Sequence, residues 1–594
     1  MELTFDGILV LVVIAFIIVS LYVEIVGPAF TFLIGVIVLG FFGVLTPSEI
    51  LQGFSNEQIL VIIMLLLLGD IFRRTAVIDQ LFDRVFRKTK SYKGFMFRMM
   101  GLVAPMSAFL NNTPLVAIMM PYVHRWSKNN GIKPSKLLIP LSYAAILGGC
   151  TTLIGTSTNL IVNGLVVDQQ IDPDMESLGL FEFAWVGVPM VIVGFLYLML
   201  FSNRLLPNKE DVVEDFAEKT REYLVEVRVS EGSPLCNKTI EEARLRNLEG
   251  LFLVEIQRKD ERITAVSPHE TIKNEDILVF AGNTETVADM VKSNNGMVPT
   301  QVGMFSRKNH IEVREAVISH NSSLINKTVR EAYFRGRYDA AIIAIHRNGE
   351  RISGKIGNVK LKAGDVLLLL TGDDFNDRAA DTKDFYLISK VRDFRKPKLF
   401  ESILLIGGTV AAITLSGLGF TSLFLALAVL LMVILLFKIA SPKDLPKSID
   451  YSLALIIAMS LALGTAMTKT GVAEYIAQFV INIFKPFGDV GLLAGIYIIT
   501  AILGAYITNK ASVALIFPIS LTMAMDLGYD PIPFVLVVAF ASAANFITPI
   551  GYQTNLMVYG PGGYSFKDFA RIGTPLTFIY MVVTIFMLWV VYLA

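Results

Sequence analysis

The stretch ITPIGYQTNLMVYG (residues 547–560) has a near copy, LIGTSTNLIVNG (residues 153–164), 396 residues earlier when Gly551 is set on Gly155. From those glycines onward, Gly, Thr, Asn, Leu, Val and Gly recur within ten positions. Both stretches are mostly apolar, and both place Thr-Asn and glycines in the middle of the apolar run. A repeated polar interruption of this kind implies a duplicated unit whose polar residues have a task.

The surrounding composition says where that task is performed. Of 594 residues 54% are hydrophobic, and the mean hydropathy is +0.59, outside the range of ordinary soluble domains. A bilayer crossing needs roughly 20 apolar residues. Windows approaching that length lie at 7–26, 29–45, 56–72, 137–165, 183–203, 399–418, 420–437, 450–468, 490–507, 531–562 and 572–593. Residues 7–26 lack a basic leader and a small-residue cleavage site, so they read as a span and not a cleaved signal. The formal net charge is zero, which gives no general attraction to nucleic acid. Cys150 and Cys236 lie in different regions and offer neither a disulfide framework nor a metal site. Between about 204 and 398 the chain becomes charged and strand-like, with no membrane-length apolar run. That segment reads as a soluble insert between two membrane halves.

Charge asymmetry orients the spans. Residues 1–72 contain no Lys or Arg, after which Arg73, Arg74, Arg84, Arg87, Lys88, Lys90 and Lys93 arrive together. The excess of positive charge in cytoplasmic loops places this loop inside and the N-terminus outside. Arg125, Lys128, Lys133 and Lys136 place 124–136 inside too, so the apolar segment 95–123 is expected to enter and leave by one face, as a re-entrant hairpin. The acidic loop 168–182 then lies outside, and 204–398 lies inside. In the second half Lys438, Lys443, Lys447, Lys567 and Arg571 give the same pattern upside down, with a hairpin at 490–522 entering from outside. The expectation is ten crossings and two hairpins in a multi-pass plasma-membrane protein, the inner membrane in a bacterium, with both termini outside. The expected fold is a polytopic α-helical protein of inverted five-span repeats, the usual plan of secondary transporters.

A second motif supports the duplication. LNNTPLVAIMMP (110–121) matches ITNKASVALIFP (507–518) at Asn112/Asn509, Val116/Val513, Ala117/Ala514 and Pro121/Pro518. Asn112 precedes Asn159 by 47 residues, and Asn509 precedes Asn555 by 46. Backbone that breaks helix inside a membrane must be satisfied by protein, ions or water. A hairpin tip exposes helix N-terminal N–H groups, which favour anions. Unwound carbonyls with Asn, Thr and Ser oxygens make a shell for a small hard cation. Four such motifs in paired positions point to an anion beside a sodium ion; for a single motif, plain helix–helix glue would be an equal explanation.

The motifs NNT (111–113), GTSTN (155–159), TNK (508–510) and GYQTN (551–555) resemble those of the divalent anion/sodium symporters. The resemblance covers both membrane halves. It implies an elevator-type member of the ion-transporter superfamily, commonly a homodimer, taking up sulfate or small di- or tricarboxylates with sodium as coupling ion and no other cofactor. It implies sodium sites at Asn111, Asn112 and Gly155 in one half and at Thr508, Asn509 and Gly551 in the other. Thr113, Thr156, Ser157, Asn159, Lys510, Tyr552, Gln553, Thr554 and Asn555 would contact the anion. The sequence departs from the family at Lys510, where a Thr is usual, and the family's extra N-terminal helix is not expected.

The insert is duplicated as well. NKTI (237–240) matches NKTV (326–329), IQRKDERI (256–263) matches IHRNGERI (345–352), and Asp276 matches Asp365, all at an offset of 89. Alternating apolar strands around short helical runs predict small α+β modules. They resemble the C-terminal regulatory modules of potassium-transport subunits (TrkA-C type), which implies dimerisation or the sensing of a small-molecule or nucleotide effector. Asn237 and Asn326 open Asn-x-Thr sequons, which a cytoplasmic domain leaves unglycosylated. The expected division is 1–203 for membrane repeat 1 (hairpin about 95–123), 208–295 and 305–385 for the two modules, and 397–594 for membrane repeat 2 (hairpin about 490–522).

Other functions fit less well. No nucleophile–base–acid set accompanies the membrane motifs, so an enzyme is not expected. A sodium/proton antiporter of the same superfamily is the alternative. It normally needs a carboxylate near the midplane, and the four motifs contain none. Glu24, Asp70 and Asp450 lie near the expected membrane ends, where solvation accounts for them. The partners expected are a small anion, sodium, the lipid bilayer and a second copy of the chain.

Overall fold

The computed structural model describes residues 4–594 apart from 24, 75–84, 87–88, 170–171, 173–174, 210–223, 246–250, 259–260, 265, 267–268, 283–296, 300–312, 321, 348–349, 353–355, 373, 380–381, 388–398, 443–450 and 544. Glu24, Asp450, Lys443, Lys447 and part of the basic loop after Arg74 therefore lie outside the described residues.

Helices α1 (Phe5–Val23), α2 (Pro28–Phe41), α3 (Pro47–Gln52) and α4 (Glu57–Arg74) open the first half. Pro47 starts α3, and Thr46 caps it through a reciprocal box with Glu49, which satisfies two otherwise orphaned N–H groups. The stretch that contains α3 meets α4 at a bend of 41°. The next four helices come as two broken pairs. In the first, α5 (Tyr92–Ser107) and α6 (Asn112–Asn129) are separated at 108–111; in the second, α7 (Leu138–Gly149) and α8 (Ser157–Asp168) are separated at 150–156. Helix α9 (Ala184–Leu205) closes the half.

The second half runs α12 (Leu399–Gly417), α13 (Leu423–Leu436) and α14 (Tyr451–Lys469), then α15 (Val472–Phe484) and α16 (Gly488–Tyr506). It continues with α17 (Asn509–Leu527), α18 (Pro531–Ala543), α19 (Gln553–Tyr559) and α20 (Phe566–Leu588). The two halves place their breaks alike, between α16 and α17 and between α18 and α19. Their packing is matched too: α5 lies on α7 as α16 lies on α18, α6 meets α19 as α17 meets α8, and α9 lies along α20.

Among the described residues six helices are long and apolar enough to cross a membrane, or seven if the bent pair is one span, with five shorter apolar helices besides. The protein is thus an apolar, multi-spanning helical membrane protein. Helix α17 passes the length test, yet 72% of its apolar window is buried against at most 44% in the other five. Its surroundings are largely other helices of the bundle. Helix α15 was not singled out in the sequence; Val472, Ala473, Ala477, Val480 and Ile481 form its buried stripe. Lipid tails are as apolar as Leu, so interhelical hydrogen bonds and close packing hold such a bundle. The Tyr143 hydroxyl donates to Phe546 O at 2.6 Å and the Tyr197 hydroxyl to Ile572 O at 2.8 Å, each joining one half to the other.

The described part of the insert holds two five-stranded antiparallel sheets. The first is built from β1 (Leu224–Val229), β2 (Leu251–Arg258), β3 (Glu261–Thr264), β4 (Ile277–Gly282) and β5 (Met297–Pro299) in the order β3-β2-β4-β1-β5. The second uses β6 (Val313–Ile318), β7 (Ala340–Arg347), β8 (Glu350–Arg351), β9 (Val366–Thr371) and β10 (Phe385–Leu387) in the order β8-β7-β9-β6-β10, which is the same topology. The short helices α10 (Phe334–Tyr338) and α11 (Phe375–Ala379) belong to the second. The likeness extends to single bonds. Asn237 and Asn326 both take left-handed backbone, φ 62° and 64°. Thr239 and Glu242 cap each other as Thr328 and Glu331 do. Arg258 grips Asp276 as Arg347 grips Asp365. In both, the charge of the buried aspartate is met by a fork of guanidinium donors.

Candidate functional site

The breaks of the two halves meet. Asn111 caps α6 by accepting from Thr113 N at 3.2 Å, which leaves Asn112 and Thr113 on the first turn facing the other half. One atom of the Asn112 amide lies 2.7 Å from the Tyr552 hydroxyl. The other lies 3.2 Å from Ala145 O, 3.3 Å from Gly155 O and against the Ser107 hydroxyl. With nitrogen turned inward the amide donates to both carbonyls and accepts from Tyr552, and every group is satisfied. With oxygen turned inward, the amide oxygen faces the Ala145 and Gly155 carbonyl oxygens at 3.2 and 3.3 Å, beside the Ser107 hydroxyl. Oxygens held at about 2.3–2.6 Å from a hard cation stand about 3.3–3.7 Å apart along an octahedral edge. The donor set is of the kind sodium takes: an amide, a hydroxyl and backbone carbonyls. A side chain at residue 149 is excluded, since a Cβ on Gly149 would come within 2.7 Å of Asn112 Oδ1.

On the same side Thr113 Oγ1 donates to Gln553 Oε1 at 2.8 Å. Thr156 Oγ1 lies 3.1 Å from the Tyr552 hydroxyl. Thus Asn112, Thr113, Gly155, Thr156, Tyr552 and Gln553 converge at the N-terminal ends of α6, α8 and α19. Helices α6 and α8 aim their N-terminal N–H groups at this region, favourable to negative charge. Ser157 is the first residue of α8 and is partly buried.

Asn159, Thr554 and Asn555 sit behind these residues. Asn159 Nδ2 donates to Thr152 O at 2.8 Å, and Asn555 Nδ2 to Asn545 O at 2.8 Å. Ser142 Oγ bonds Thr554 Oγ1 at 2.8 Å and Asn555 Oδ1 at 2.7 Å. These side chains satisfy the broken backbone, the requirement in hydrocarbon. Two more residues act there that were not singled out in the sequence. Thr152 and Thr548, at the same 396-residue spacing, each accept from the following glycine N–H, at 3.2 Å for Gly155 and 3.1 Å for Gly551.

The second half is not a copy of the first. Asn545 stands where Gly149 stands, and its Nδ2 donates to Asn509 Oδ1. Gly551 packs beside Thr548 and Asn545. Thr508 caps α17 by accepting from Ala511 N at 3.1 Å. Lys510 lies on the first turn of α17, partly buried. An amide nitrogen therefore meets Asn509 where the first half gathers oxygens around Asn112. Among the described residues no group of three or more His, Cys, Asp or Glu side chains is placed to hold a metal.

A many-spanning helical bundle whose polar helix breaks meet inside it has the plan of a membrane transporter, and the family comparison agrees. The citrate transporter family matches residues 11–480 and, separately, 403–594; the chain belongs to that family. It is 32% identical over 598 residues to an uncharacterised transporter of Synechocystis, covering 98% of this chain and 97% of the relative. It is 35% identical over 560 residues to a Chlamydomonas reinhardtii protein provisionally named as a sulfur deprivation response regulator, covering 91% and 94%. Sodium/sulfate cotransporter 2 of Chlamydomonas reinhardtii is 25% identical over 768 residues, covering 95% of this chain and 87% of that one.

Proposed function

We propose that this chain is a sodium-coupled importer of small divalent anions, with sulfate as its first candidate substrate. The observation that carries the reading is the Asn112 cluster, where an amide, a hydroxyl and two carbonyls gather beside the anion-favouring N-terminal ends of α6 and α8. Asn112, Ser107, Ala145 and Gly155 hold one sodium. Thr113, Thr156, Tyr552 and Gln553 face the anion, with Ser157 and Lys510 at its edge. Asn111 and Thr508 serve as caps to the same two hairpins. In the second half the Asn545 amide and Lys510 replace a cation around Asn509 and Gly551, so fewer sodium ions are coupled than in a transporter with two matched sites. Names of the relatives favour sodium and sulfate; the family's name keeps citrate as a competitor for the same site.

The two halves work as inverted repeats, with hairpins at about 95–123 and 490–522 carried past a fixed scaffold in an elevator movement of a homodimer. The insert consists of TrkA-C-like modules on the cytoplasmic side, where they regulate transport. Purified protein in liposomes, loaded against radiolabelled sulfate, citrate or succinate with and without an inward sodium gradient, tests the proposal. Sulfate accumulation that requires the gradient supports it. Uptake driven by a proton gradient alone, or none of any of the three anions, refutes it.

A further inference from the structure

The second β module touches the candidate site directly. His320, in the turn after β6, places its Nε2 2.5 Å from Gln553 Nε2. Gln553 Oε1 is already engaged by the Thr113 hydroxyl. The amide is thus held between a residue of the membrane bundle and a residue of the insert. Around this contact the module is seated through an apolar face. Strand β6 alternates Ala316 and Ile318, which enter the module's own core, with Val317, which packs into the membrane core. Strand β9 does the same, with Leu367 and Leu369 inward and Val366 outward. Side chains alternate faces along a strand, so one face of this sheet builds the module and the other docks it. At the docked face, a Cβ on Gly560 would stand 2.2 Å from Val366 Cγ2, and one on Gly364 would stand 2.7 Å from Leu556 Cδ1. Leu556 and Gly560 belong to α19 and its end, the helix that Gln553 begins.

Sulfate offers only acceptors, so the site must supply donors. With the module docked, the Thr113 hydroxyl proton goes to Gln553 Oε1, and one of the two Gln553 amide N–H donors is taken by the His320 imidazole. We propose that the second β module is a reversible plug of the anion site, with His320 as the side chain that withholds Gln553 from the substrate. The proposal deepens the anion-transport reading and rests on it. Undocking frees the Gln553 donor and releases α19 to move with the rest of the hairpin assembly. The apolar face holds the plug, and His320 makes it felt at the site.

The test uses the full chain in liposomes with sodium and sulfate. His320→Ala removes the contact. Val317→Asp with Val366→Asp places charge on the docking face while leaving the inward residues of both strands unchanged. Each is expected to lower the KM for sulfate about threefold to tenfold, the worth of one hydrogen bond to the ligand. A third variant traps the docked state. An ideal Cβ on Gly560 stands 3.7 Å from Val366 Cβ, within the span of a disulfide. Gly560→Cys with Val366→Cys, made with Cys150→Ala and Cys236→Ser, should lose uptake on oxidation and regain it on reduction, with thiol counting to confirm the bond. Sulfate uptake by wild type that equals that of the oxidised trap and both undocked variants overturns the plug and leaves the transport reading intact. A higher KM in His320→Ala makes His320 a substrate ligand and also overturns it. Failure of the disulfide to form overturns the docked contact. Absence of uptake in every form, docked or not, overturns the anion reading and the plug with it.

Discussion

At Asn112 one side chain joins four elements: α5 through Ser107, α7 through Ala145, the α7–α8 break through Gly155, and the α18–α19 break through Tyr552. Asn112→Ala deletes the amide oxygen offered to a cation. The expected outcome is a rise of about tenfold in the sodium concentration for half-maximal uptake, the effect of losing roughly 1.4 kcal/mol of ion binding. A lysine in an apolar segment costs about 2.5–3.5 kcal/mol on insertion scales, so Lys510 needs a task to persist. If it serves as a tethered cation, Lys510→Thr steepens the sodium dependence of uptake. Lys510→Ala weakens anion affinity about threefold to tenfold. Both are read from initial rates across sodium and sulfate concentrations. Much of this cluster is legible in the sequence because Asn112, Gly155, Thr156, Tyr552 and Gln553 lie within repeated polar interruptions. Asn545 is not legible, because its counterpart is Gly149 and repetition cannot reveal a substitution for glycine. His320 leaves no local pattern at all, since its contact with Gln553 is created by the docking of a distant sheet.

At the scale of elements, the helix breaks coincide with the polar motifs because Asn, Thr and Gly are what unwound backbone in a membrane requires. Helix α15 is not a membrane-length apolar window because Glu474, Gln478 and Asn482 interrupt it, which makes it an amphipathic helix with one buried stripe. In the insert, the 89-residue offset makes the duplication readable. The left-handed turns at Asn237 and Asn326, however, read as sequons until the backbone is seen. The second module has one feature the first does not show among its described residues. Asp384, 3% exposed, accepts from Ser323 N at 2.6 Å and from the hydroxyls of Ser322 and Tyr338, and pairs with Arg337 at 2.9 Å. Burial alone would raise its pKa. The hydrogen bonds from Tyr338 and Ser323 and the charge of Arg337 outweigh it and hold the carboxyl below its usual value. The sign follows: with the folded value depressed, Asp384 contributes its full stability above the unfolded value of about 4. That contribution is lost as the pH falls through the folded value. Asp384→Asn should destabilise the module by about 2–4 kcal/mol and flatten this acid dependence. Hydrogen exchange of residues 313–387 in the full-length protein measures both.

For the whole molecule, the matched packing of α6 on α19 and of α17 on α8 is what two copies of one unit produce when each completes the other. The apolar windows make a membrane protein plain from the sequence. The interlocking of the halves is not readable there, because it depends on contacts between residues hundreds of positions apart. If the halves are inverted, single cysteines at Asn129, exposed at the end of α6, and at Asp489, in a background without Cys150 and Cys236, label from opposite faces of the membrane. Labelling of both from one face contradicts the inversion. The central claim is that sodium and a divalent anion share the site where the two halves meet, and equilibrium binding of radiolabelled sulfate to purified protein tests it without transport. Sulfate should bind in sodium chloride and bind at least tenfold more weakly in potassium or choline chloride. In Asn112→Ala that difference should largely vanish. Sulfate affinity equal in all three salts, or an Asn112→Ala protein with its sodium dependence intact, would contradict the account.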